Sequence, residues 1–178
     1  MKPSPGLTLA IGLWLGATLL VFVVVSYNFV GIRRSVAENP RLAENAGFSA
    51  EAKDSTVRQS VLYVYAGELN RALFYVWNRT QIGLAALTLF LGLMHFPRAG
   101  LLLSLTAAGV IVLTLTFYLG PEVTNVGRQL DFVARDAVTE ATFARFRVLH
   151  LSYVVAEGVK TVILALASFL ALHTPRPS

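Results

Sequence analysis

Four windows of this chain are each apolar over roughly the ~20 residues that a helix needs to cross the ~30 Å hydrocarbon layer of a bilayer. They cover about 7–31, 72–96, 100–120 and 148–172, the first opening "LTLAIGLWLGATLLVFVVVS". In lipid every backbone polar group has to find its partner within the protein, which leaves helices and closed barrels as spanning structures, and runs this long suit helices. Composition agrees, with 55% hydrophobic residues, 14% charged residues and a mean hydropathy of +0.62. The expectation is an all-α, integral membrane four-helix bundle forming one domain over residues 1–178. The first window exceeds the ~7–15 apolar residues of a secretory leader and no small-residue cleavage pattern follows it, so it is expected to remain as a helix.

An even number of spans places both termini on one side, here the terminal side, and the two longer connections on the other, the loop side. The connection "PRAG" after the second window is minimal and predicts a tight antiparallel hairpin. Arg33, Arg34, Arg41, Lys53, Arg58, Arg71, Arg128, Arg135, Arg145 and Arg147 fall on the loop side, against Lys2, Arg98 and Arg176 on the terminal side. The positive-inside bias therefore predicts cytoplasmic loops and external termini, in the inner or plasma membrane if the chain is bacterial. Both loops carry helical patterning: "STVRQSVLYVYAGELNRALF" extends the second span outward, and Val123, Val126, Leu130 and Val133 recur at helical spacing after Pro121. Residues 37–54, with Pro40 and Gly47, read as a turn-rich connection.

Against this apolar background the ionisable residues inside the windows stand out, because a charge near the centre of a spanning helix costs at least about 2.5–3.5 kcal/mol. In the fourth window His150, Tyr153, Glu157 and Lys160 share one helical face. In the second, Arg79 is flanked by Asn78 and Gln81. Arg79 lies about six residues in from the loop side and Glu157 about eight, a height mismatch of ~3 Å at the rise of an α-helix. The pattern predicts a polar pocket in the loop-side half, built from Arg79, Asn78, Gln81, His150, Tyr153, Glu157 and Lys160, with Arg79 facing Glu157. Ser26 and Asn28 of the first window, and Thr114 and Thr116 of the third, reach the same half. Read as structure, the signs nearly cancel and the cluster is a clasp; read as function, it is a ligand, ion or proton site.

Several chemistries are disfavoured. Without cysteine there are no disulfides, thiolate metal sites or cysteine nucleophiles. The pI near 9.9 follows the membrane topology, and no basic run interleaved with aromatics points to nucleic acid. Haem is not expected, since His150 lies at the loop end of its span and His95 and His173 lie at the opposite ends of theirs. Asp131 and Asp136 lack the neighbours of a metal-dependent transferase, and no nucleophile triad, phosphate loop or metalloprotease helix is present. Gly12 and Gly16 form a GxxxG step suited to close helix packing, within the chain or with a second copy.

Four short stretches, taken in order, resemble the bacterial four-helix family of unknown function related to the animal transmembrane protein 205. They are "GLWLGATLLVF" with Gly12, Trp14 and Gly16; "AGELNRALF" with Gly67 and Leu69; "FYLGPEVTNVGRQ" with Tyr118, Pro121 and Arg128; and "FARFRVLHLS" with Phe146, His150 and Ser152. The family pattern carries an amide residue where this chain has Glu157, and a serine where it has Tyr153. The resemblance implies a four-helix membrane protein without an established reaction, and the animal relative's association with platinum-drug tolerance implies vesicle traffic or solute handling. The function expected from sequence is non-enzymatic: an assembly or accessory subunit that associates with itself or with a larger membrane complex. The alternative is a small transporter, or a proton- or metal-linked solute-handling protein, using the loop-side polar pocket.

Overall fold

The computed structural model describes residues 5–38, 55–95, 98–131 and 140–172. Helix α1 is Pro5–Glu38 and α2 is Ser55–His95; α3 is Ala99–Thr114, continued by a π-helical turn, Leu115–Leu119, into α4, Gly120–Gln129; α5 is Glu140–Leu172. No strand occurs among the described residues. The turn-rich stretch expected at 37–54 lies outside them beyond Glu38, as do Val133, Asp136 and His173.

At 1.5 Å per residue the 34 residues of α1 and the 41 of α2 run to about 50 and 60 Å, well past the hydrocarbon thickness. The loop-side helical patterning is thus realised in α2 as an outward extension of the long helix, and after Pro121 as the short helix α4. Side-chain contacts set the directions. Trp14 meets Gln81 and Asn28 meets Asn70, so α1 and α2 are antiparallel. At Gly92, a Cβ would stand 3.2 Å from Leu102 Cδ2 and 3.3 Å from Leu105 Cδ1, which gives the close approach of the α2–α3 hairpin. The four long helices form an up-and-down bundle in which α1, α2, α3 and α5 pack in a ring.

Among the described residues three helical segments are long and apolar enough to cross a membrane: Pro5–Asn28, Ala99–Gln129 and Glu140–Leu172. The second expected span, 72–96, lies in α2, which does not meet that measure. Asn78, Arg79, Thr80 and Gln81 interrupt its apolar run, and two of these four, Asn78 and Gln81, are buried in the bundle. The chain is an integral membrane protein whose outer surface carries Leu13, Phe22, Phe90, Leu103, Val162 and Phe169, all exposed.

The interior is layered. Leu7, Ile11, Leu101, Leu105, Ala167 and Ala171 fill the terminal-side end. Next come Trp14, Trp77, Ala108, Val112 and Leu164, and above them the polar residues described below. The π turn sits beside this polar layer, where the Gly120 N–H bonds Leu115 O. Pro121 explains the widening, since its ring removes one backbone donor and crowds the carbonyl four residues back. A Cβ at Gly120 would lie 2.7 Å from Leu115 O and 3.2 Å from Asn78 Nδ2. Gly120→Ala is therefore expected to destabilise by about 1–3 kcal/mol, the usual cost of overpacking. Thermal unfolding in detergent by circular dichroism measures it, and an unchanged midpoint would show that the turn relaxes freely.

Candidate functional site

Asn78 and Gln81 are three residues apart on α2, and Tyr153, Glu157 and Lys160 follow one another at four and three on α5, so each set lies along one helical face. The bundle turns the two faces together. Lys160 is fully buried, as is Gln81. The Lys160 ammonium donates to Gln81 Oε1 and to Glu157 Oε2 at 2.5 Å, with the Trp77 ring centroid 5.9 Å away. Gln81 donates from Nε2 to Glu157 Oε1 at 3.2 Å and receives the Trp14 indole N–H at 3.3 Å. Asn78 Oδ1 accepts the Tyr153 hydroxyl at 2.9 Å and a longer contact of 3.5 Å from Gln81 Nε2. Thr116 of the π turn donates to the Asn78 carbonyl at 3.4 Å.

All four long helical segments thus contribute to a single network around one ion pair. The carboxylate has a cation and an amide donor, and the ammonium has two oxygens. Such completeness is what a low-dielectric interior requires of buried charge. Of the two ion-pair members, Lys160 is sealed while Glu157 retains partial access, with 14% of its side chain exposed.

Two of the expected pocket residues lie elsewhere. Arg79 does not pair with Glu157. It is exposed, its guanidinium lies 3.4 Å from the Tyr75 ring centroid, and Nη1 donates to the Tyr75 carbonyl at 3.4 Å. Direction around the axis decides this: at about 100° per residue, a helix that turns Asn78 and Gln81 inward turns Arg79 outward. His150 is also exposed, stacked on Phe146 of the preceding turn with centroids 5.7 Å apart. Of the supporting residues, Thr114 faces outward and bonds Val110 O, and Ser26 is exposed. Gly12 and Gly16 are exposed as well, and a Cβ at either meets nothing within 4 Å. The GxxxG step therefore packs against no helix of the described chain.

Trp14 and Trp77 were not expected in the network. The signal was available, because an indole buried within an apolar span needs an acceptor for its N–H.

Toward the loop side Asn28 Nδ2 donates to Asn70 Oδ1 at 2.7 Å, leaving Asn70 Nδ2 buried without a partner among the described residues. Beyond the spans, Arg71 forks onto Asp131 at 2.7 and 2.9 Å and reaches Glu68 at 2.7 Å. Arg128 and Arg71 hold the Glu68 carboxyl below its ordinary value, and Asp131 holds Arg71 above its own. Arg145 pairs with Glu122 at 2.9 Å. Among the described residues no three His, Asp or Glu side chains gather as a metal site would require. No family model matches the chain, and neither a curated protein nor a solved structure matches it.

Proposed function

We propose that the protein is a non-enzymatic assembly or accessory subunit that associates with itself or with a larger membrane complex. The observation carrying this reading is the closure of the polar core. Lys160 is wholly buried and bonded to Glu157 and Gln81, so the ion pair of α5 is engaged in tying that helix to α2. A core of this kind sets helix register. The outward faces are then left for contacts with lipid or protein, among them the open Gly12–Gly16 step. In this reading the apolar half of α2 completes a fourth span, the loop-side extensions are cytoplasmic and the termini external. The likeness of the four sequence stretches to the family related to transmembrane protein 205 fits the same picture.

Gentle purification followed by native mass spectrometry tests it. A homo-oligomer or a stoichiometric companion is expected, and a strictly monomeric species without companions would overturn the reading.

A second reading, a small proton-linked solute-handling protein, draws on one observation: within the ion pair Glu157 keeps some exposure while Lys160 has none. Proteoliposomes carrying Glu157→Gln would then lose pH-driven uptake of a solute that the unaltered protein moves, and retention of that uptake would dismiss it.

A further inference from the structure

We propose that Arg79 binds the phosphate of an anionic phospholipid on the loop-side outer face of α2, with Tyr75 holding the guanidinium in place. Arg71, Arg128, Arg145 and Lys160 each have a carboxylate of their own chain as partner. Arg79 is exposed, and among the described residues no carboxylate lies within ion-pair distance of it. Its fork carries five N–H donors, and the Tyr75 carbonyl takes one, at 3.4 Å.

Position identifies what answers the rest. Arg79 lies eight residues past Arg71, about 12 Å deeper, but its side chain folds back onto Tyr75, four residues nearer the loop side. The cation is thereby raised about 6 Å toward the ion-paired ends of the helices. Exposed Tyr27, Tyr75 and Tyr118, from α1, α2 and the π turn, occupy this half of the bundle, as tyrosines do at the headgroup level. Stacking on the ring covers a face of the planar guanidinium and leaves N–H groups on its edge directed outward, the geometry that takes two oxygens of one phosphate. A second copy of the chain is the weaker match on the described residues, where Glu68, Glu122, Asp131 and Glu157 are already committed to cations of their own chain.

Native mass spectrometry of the full chain in detergent tests this with phosphatidylglycerol, phosphatidylcholine and diacylglycerol of identical acyl chains. Phosphatidylglycerol should be retained about tenfold more tightly than diacylglycerol, the effect of one charge-assisted contact. Phosphatidylcholine should fall between them. Arg79→Gln should abolish the preference, Arg79→Lys should keep part of it, and Tyr75→Leu should reduce it without altering helix content. Phosphatidylglycerol binding unchanged in Arg79→Gln would overturn the proposal. So would equal occupancy by inorganic phosphate, which would make the ligand a free anion, or a cross-link from position 79 to a protein carboxylate in place of lipid.

Discussion

Lys160→Met should lower stability by about 3–5 kcal/mol, the cost of breaking a buried ion pair from one side. The long apolar replacement fills the space of the lysine stem but leaves the Glu157 carboxylate with Gln81 Nε2 as its one side-chain donor in the network. It also takes from Gln81 Oε1 the stronger of its two donors, leaving the Trp14 N–H. The double variant Glu157→Gln with Lys160→Met removes both charges, and such replacements are often close to neutral. It should therefore recover most of the loss. Equilibrium unfolding in mixed micelles gives both values and their coupling. If the single variant lost less than about 1 kcal/mol, the range of exposed pairs, the ion pair would not be a buried one.

Trp14→Ala is the second large effect. Trp14 is fully buried among Trp77, Ala108, Val112 and Leu164, and truncation of such a side chain costs about 3–5 kcal/mol through the space it leaves. It also strips one donor from Gln81. Trp14→Phe separates the two contributions: the ring keeps much of the volume, and the missing N–H leaves a loss of about 1–2 kcal/mol. The same unfolding measurement applies. Equal losses for Ala and Phe would mean that the hydrogen bond, not the packing, dominates at this position.

The helices themselves were legible because lipid solubility and backbone hydrogen bonding leave so few alternatives. The inward faces of α2 and α5 were legible for a related reason. Asn78 with Gln81, and Tyr153 with Glu157 and Lys160, are polar groups at helical spacing in otherwise apolar segments. What escaped was direction around the axis. Counting residues from the membrane surface fixes height alone, so Arg79 and Glu157 were matched although the helical wheel that brings Asn78 and Gln81 together points Arg79 away. His150 shares the sequence face of Glu157 but finds a ring to stack on one turn below, at Phe146. The π turn escaped too, since Gly120 and Pro121 signal a local disturbance without saying whether the helix bends, breaks or widens.

The order in which the polar partners occur along the chain bears on biogenesis. Asn78 and Gln81 belong to the second helix, whereas Tyr153, Glu157 and Lys160 belong to the final one of the described bundle. During synthesis the amides emerge from the ribosome 75 and 76 residues before the groups that satisfy them. Until then they must be served by water, by the translocon or by each other. α5 supplies a cation and an anion together, each answering the other, so it brings the amides a nearly neutral pair and closes the lock on the helices packed against it.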